Sequence, residues 1–473
     1  MSTDRPAGSS PDGEDTPAPW DEILRQMFGP DAEEALAQLR AQGMDPAAMA
    51  AASGLPDDPR LLGQVLDQVR RLLASSGEGP VNWDIAHDVA RQAAVTEGDP
   101  SLTALQARQV SEALSVAELW LDAATDLPPA GGPVRAWSRS EWVEQTLPTW
   151  RTLTEPVASS LTTALAGALA EQLPEDLAAE GLPPGMLVPG TPSDPAQLVR
   201  SLGAAVFGMQ VGQAAGTLSR EVFGITDIGL PLVREPSTAL VPSNVEAFAA
   251  GLDAPLEEVR LYLALREAAH ARLFTHVAWL RAHLLGAVEA YARGITVDLE
   301  QLEEAVASID PTDMSALQSA LSGGVFNPHT TDEQKAVLGR LETALALVEG
   351  WVDEVTSVAA LPHLPHAVAL REMIRRRRAA GGPAEQTFAT LVGLELRPRR
   401  SRDAAALWAR ITADGGPEAR DAVWDHPDLL PTDEDLDDPD GYAARRQTAS
   451  DEAADVDRAL AEILGEEPEK PQG

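Results

Sequence analysis

The sequence predicts a mainly α-helical fold: one large multi-helix domain with few short strands, a helical N-terminal extension and disordered termini. Three observations carry this expectation. Long Ala/Leu-rich stretches show helical spacing of their apolar residues over 83–98, 101–125, 139–173, 195–223, 254–293, 298–322 and 331–359. Clusters of proline and glycine separate them, as in DLPPAGGPV, GLPPGMLVPGTPSDP and LSGGVFNPH. β-branched alternation is scarce; the only extended candidates are ITDIGLPLV (225–233) and STALVPSN (237–244).

Taken in order, residues 1–19 are rich in Pro, Ser, Gly and Asp and read as disordered. Residues 20–78 read as a small helical segment. Trp20, Ile23, Leu24, Met27 and Phe28 fall at helical spacing, Asp31 offers an N-cap and Gly43 a stop. SSGEGPVN (75–82) reads as a linker, and 80–432 shows no clean break. Gly208, Gly212 and Gly216 fall four apart, which lets two buried helices approach closely. The scattered tryptophans sit at helical spacing and read as core. Residues 433–473 form an acidic tail, mostly disordered, with one amphipathic helix expected at 451–465.

Charge and composition narrow the function. The 473 residues carry Lys+Arg 36 against Asp+Glu 74, a net charge of -38. That balance argues against nucleic acid and against anionic membranes, since phosphate binding needs a basic face. Cysteine is absent, which removes disulfides, thiolate nucleophiles and Cys-ligated metals and fits a cytoplasmic location. The start of the chain lacks the basic and apolar stretches of a signal peptide, and no segment reads as a membrane span. Oligomeric state is not legible. The basic run MIRRRRAAGG (373–382) is expected to pair with the acidic tail PTDEDLDDPD or to be solvated.

One helix carries candidate chemistry. GLDAPLEEVRLYLALREAAHARLFTHVAWLRAHLLGAVEAYARG (251–294) reads as one long helix through the core, with Asp253 as N-cap, Pro255 in the first turn and Gly294 as stop. Within it, R-E-A-A-H differs by one residue from H-E-x-x-H, in which two histidines at i and i+4 bind zinc and the glutamate deprotonates the metal-bound water. Glu267 and His270 stand in the second and fifth places; Arg266 stands in the first and cannot ligate zinc, because it does not deprotonate. His276 lies about 120° around the helix from His270 and reads as a polar helix residue, as does His283.

The blocks VNWDIAHDVARQ (81–92), FGMQVGQAAGTLSREVFGITDIGLPL (207–232), LVPSNVEAFAAGLDAPLEEVRLYLALREAAHARLF (240–274), LVEGWVDEV (347–355) and TLVGLELRPRRSRDAAALWARI…VWDHPDLLPT (390–432) together resemble the actinobacterial zincin-like metallopeptidase family. The resemblance implies a zincin-like domain over 80–432 and a zinc-dependent hydrolase acting on peptide bonds. It implies Glu267 as general base, His270 as metal ligand and an acidic third ligand on a later helix, best matched by Glu349. Family members with the full motif carry His at Arg266, and many carry His at Trp351. Asp353, His363 or His366 completes the ligand set, or the site holds no zinc. In the alternative, the Arg266 guanidinium takes the place of the metal against Glu349, Glu267 or both, catalysis is weakened or lost, and the fold serves a peptide or protein partner.

Overall fold

The computed structural model describes residues 79–172, 195–293, 331–380 and 400–464. Expectations for 1–78, 298–322 and the 390–399 part of the final block lie outside these residues. Two compact units are present: one of 1–82, 162–206 and 297–327, and one of 83–161, 207–296 and 328–473. The second holds the site described below.

Among the described residues the fold is mainly α, with twelve α-helices and two three-residue strands. The helices are α1 (Trp83–Val95), α2 (Ala104–Leu121), α3 (Arg139–Gln172), α4 (Pro195–Ser219), α5 (Pro242–Ala249), α6 (Leu256–His276), α7 (Leu280–Arg293), α8 (Asp332–Ala360), α9 (Ala367–Ala379), α10 (Ser401–Asp421), α11 (Asp433–Asp437) and α12 (Tyr442–Leu464). β1 (Val134–Ala136) and β2 (Thr238–Leu240) pair in parallel, Arg135 opposite Ala239. β2 falls in an expected extended stretch. Residues 225–233 instead form turns, and β1 has too few residues for periodicity to reveal.

Helix α6 is the axis of the core. Every residue from Tyr262 to Leu273 is buried, and α2, α5, α8, α9 and β2 pack around it. The buried charge of Arg272 is met by Glu118 Oε2 and Asp122 Oδ1, both at 2.7 Å from guanidinium nitrogens, and by the Glu118 and Leu127 carbonyls at 2.7 and 2.9 Å. These bonds tie α6 to α2. Helix α8 packs against α6, α7 and α10.

The expected single helix over 254–293 is two helices. Its N-cap is Pro255 rather than Asp253, and it breaks at 277–279 without a proline or glycine. Tertiary contacts stabilise the break. Val277 is buried, and Trp279 Nε1 donates to the Trp424 carbonyl at 2.9 Å while its ring packs on Trp424.

Gly212 and Gly216 of α4 have the expected use. A Cβ on Gly212 would lie 2.5 Å from the Ala86 carbonyl oxygen, and one on Gly216 2.5 Å from that of Ala90. Gly350 of α8 meets α10 in the same way, 2.6 Å from Ala404 Cβ and 2.7 Å from Ala405 N. Gly350→Ala is expected to lower stability by about 1–3 kcal/mol through overpacking. Denaturant unfolding reads this out, and an unchanged midpoint would refute the close approach of α8 and α10.

The helix expected in the tail is present. Helix α12 begins at Tyr442, nine residues before the expected start, because Arg445 pairs with Asp435 and Asp438 at 2.8 Å and anchors its first turn. No helix among the described residues is long and apolar enough to cross a membrane.

Candidate functional site

Helix α6 carries Arg266, Glu267 and His270 into the interior at 5%, 4% and 1% exposure. Glu349 arrives from the middle of α8, 4% exposed. His270 Nε2 lies 3.2 Å from Glu349 Oε1, and Arg266 Nη2 donates to Glu349 Oε2 at 2.8 Å. Three residues separated by up to 83 positions thus meet at one carboxylate.

A fourth residue joins them. Arg378 Nη2 lies 2.8 Å from Glu349 Oε1. It belongs to the basic run, which the sequence assigned to the acidic tail or to solvent. The structure corrects this: Arg371, Arg375 and Arg378 recur at i, i+4 and i+7 and occupy one face of α9. Arg371 and Arg375 reach Asp353 Oδ2 at 2.8 and 2.5 Å. Arg377 reaches Asp227 Oδ2 at 3.1 Å and lies over the Phe223 ring, 4.2 Å from its centroid. Arg378 also donates to the Asp227 carbonyl. The tail acids pair elsewhere, Asp437 with Arg400 and Asp440 with Arg410. A run of four arginines in an acidic chain was the signal available in the sequence. Its helical phase was readable, but not which helix it would meet.

Desolvation works against each buried carboxylate, and the neighbouring cations decide the outcome. For Glu349, burial opposes ionisation, but Arg378 and Arg266 with the His270 hydrogen bond hold the group well below the ordinary carboxylate range. Asp227 is lowered in the same way, its burial outweighed by Arg377 and Arg378. Glu267 has donors but no guanidinium. Its carboxylate accepts from Ile225 N (3.2 Å), Thr226 N (3.1 Å), Thr226 Oγ1 (2.7 Å) and Ala239 N (3.4 Å). Burial outweighs these bonds and pushes its pKa up to about 7.

The same bonds give Glu267 a structural task. It fastens the 224–226 turn and β2 to α6. The approach is so close that a Cβ on Gly224 would lie 2.6 Å from Glu267 Oε2. Gly229 closes the turn at φ +78, donating to the Thr226 carbonyl at 2.8 Å. Arg266, Glu267 and His270 line a void of about 10 Å³ beside Thr226 and Asp227. That is room for one water at most, and a peptide does not enter it.

Does zinc fit these residues? His270 Nδ1 faces the Arg266 carbonyl at 2.9 Å, the kind of bond that a zinc-ligating histidine makes through its other nitrogen. Its separation from Glu349 Oε1, 3.2 Å, is near the spacing of about 3.3 Å between two ligands of one tetrahedral zinc. The remaining requirements are not met. Catalytic zinc keeps three protein ligands, and the third corner here is a cation. Both Glu349 oxygens are already taken by guanidinium groups, and a metal ion beside Arg266 and Arg378 would add charge to charge. Asp353 is engaged by two arginines. His363 stacks on Trp120 at 4.3 Å, and His366 Nδ1 lies 3.0 Å from Glu258. No group of three His, Asp or Glu able to hold a metal occurs among the described residues. The site does not fit zinc. The contact between Arg266 and Glu349 is made; the Glu267 carboxylate is held by backbone and hydroxyl donors instead.

Trp351, one of the positions where the resemblance implies histidine, is fully buried and donates to Asp421 Oδ1 at 2.8 Å. It locks α8 to the end of α10.

No curated protein matches this sequence. A solved structure from Chloroflexus aurantiacus, described as that of a candidate hydrolase with a novel fold, is similar at TM-score 0.53 and 20% identity, covering 78% of this chain and 99% of that one. At that identity the likeness is one of fold. Residues 81–443 match the family described as zincin-like metallopeptidase. Because that match takes in most of the 473 residues, the chain belongs to the zincin-like metallopeptidase family.

Proposed function

We propose that this chain is a family member that has exchanged a zinc centre for a guanidinium–carboxylate cluster, and that it binds a peptide or protein partner without zinc-dependent hydrolysis. The observation that carries this reading is the shared carboxylate of Glu349, with Arg266 on one oxygen and Arg378 on the other at 2.8 Å each. In this role Arg266 and Arg378 neutralise buried acid, His270 orients Glu349, and Glu267 fastens the adjoining turn. The binding half of the reading is supported by α12. Val456, Leu460 and Ile463 stand at i, i+4 and i+7 with exposures of 58%, 51% and 83%. An isolated helix with a bare apolar face is marginal in water, and a partner stabilises it.

The second reading is a zinc-dependent peptide hydrolase with weakened catalysis, with Glu267 as base and His270 and Glu349 as ligands. The 3.2 Å approach of His270 to Glu349 and a Glu267 pKa of about 7 favour it. Metal analysis of the purified full-length chain separates the two. The proposal expects no stoichiometric zinc and no peptidase activity on added zinc. It also expects zinc uptake by the double variant Arg266→His with Arg378→Gln, which supplies an imidazole and frees one Glu349 oxygen. One zinc per wild-type chain, retained through dialysis against chelator, would falsify the proposal.

A further inference from the structure

The segment 231–237 forms a wall shared by two openings. The narrower, about 140 Å³, is bounded by Thr226, Pro231, Phe274 and Arg281. The wider, about 670 Å³, is bounded by Arg135, Trp137, Glu141 and Gln145. Val233, Arg234, Glu235, Pro236 and Ser237 line both. The larger volume lies within the range of small-molecule sites, about 300–1,000 Å³.

The charges here break the pattern of the chain. Arg281 is half-buried at the start of α7, where the break after α6 directs it. Its Nη1 donates to the Pro231 and Val233 carbonyls at 2.7 and 2.5 Å, and its Nη2 lies 3.5 Å from Thr149 Oγ1. Among the described residues no carboxylate comes within ion-pair distance of it. Its pKa is lowered by burial first and by the Arg234 cation second, and no acid offsets them. Arg234 and Arg135 are exposed and form no ion pair among the described residues. The acids that line the groove leave them unmatched. Glu141 accepts from Ser138 N at 2.7 Å, and the exposed Glu235 forms no ion pair among the described residues. With 74 acids and 36 bases in the chain, two neighbouring guanidiniums that form no ion pair among the described residues, beside a cavity, mark a place for an anion from outside. The planar guanidinium fork matches carboxylate and phosphate oxygens.

We infer that this groove binds an organic oxyanion. Its carboxylate or phosphate group sits between Arg281 and Arg234, and its organic body lies in the wider opening past Arg135. The site is separate from the Glu349 cluster, since neither arginine touches Glu349, Arg266 or His270. The inference therefore stands or falls apart from the metal question.

Citrate and inorganic phosphate serve as probes, titrated calorimetrically into the full-length chain at constant ionic strength. Saturable binding of citrate assigns a carboxylate ligand, and saturable binding of phosphate assigns a phosphoryl ligand. In either case Arg234→Gln weakens affinity by about tenfold, the loss of one charge-assisted contact. Arg234 is the residue to vary because it makes no hydrogen bond among the described residues, whereas Arg281 also holds the 231–233 backbone. Binding of neither probe, or binding with the same affinity in Arg234→Gln, overturns the inference.

Discussion

Glu349→Gln lowers the unfolding free energy by about 3–5 kcal/mol, because it leaves Arg266 charged and without its carboxylate in the interior. Arg266 is 5% exposed and Glu349 4%, so water cannot take over the lost partner. Arg378 is less deeply held, with its side chain 17% exposed, and it keeps the Asp227 carbonyl as an acceptor. Arg378→Gln is therefore expected to cost less than either Arg266→Gln or Glu349→Gln. Removing both members of the inner pair is milder than removing one. Arg266→Met combined with Glu349→Met restores much of the loss, since apolar replacement of a buried ion pair is often close to neutral. A double-mutant cycle by denaturant unfolding measures this, with coupling of at least about 2 kcal/mol expected. Additive single losses would remove the cluster as the organising feature of the centre.

The second large effect is a dependence on pH that changes sign. Glu267 has its pKa raised from 4.5 to about 7 on folding. Between those values the folded chain holds a proton that the unfolded chain has lost, so stability falls as pH rises through the window, by about 3 kcal/mol in all. Glu349 and Asp227 are lowered by their arginines. Their contribution is complete above the ordinary carboxylate range and is lost as pH falls below it, when the native pairs must be protonated. Stability from these three groups is therefore greatest in mild acid. Glu267→Gln isolates the first effect. The amide turns N–H groups toward fixed backbone donors and costs about 2 kcal/mol near pH 5. That penalty shrinks as pH rises, because wild-type Glu267 must then ionise without a cation. Unfolding free energies at a series of pH values test this; a penalty constant from acid to alkaline pH would show that Glu267 does not titrate in the native state.

The helical architecture was legible because it is written in local spacing. The bounds of α3 and α8 differ from the expected stretches by a residue or so, since apolar periodicity and caps such as Thr331 before α8 act within a few residues. The centre was legible in part. Glu267, His270 and Glu349 were named from the motif and from a resemblance to the family, and the structure brings His270 and Glu349 together. It gives Glu267 a different set of neighbours from the other two. Arg378, Asp227 and Thr226 were not named. Each enters through a contact between segments far apart in the chain, and no periodicity encodes such a contact.

By itself the sequence determined the helices, the acidic surface, the glycine face of α4 and, at position 266, an arginine that cannot ligate zinc. These are properties of residue types and of neighbours a turn or two apart. Only the tertiary structure decided which charges cancel. It turned the arginine face of α9 onto Glu349 and Asp353 rather than onto the tail, and it broke the long helix at 277–279, leaving Arg281 beside a cavity with no ion pair among the described residues. The physical reason is that the ionic state of a buried group depends on which opposite charge desolvation brings within about 4 Å, and that distance belongs to packing between elements.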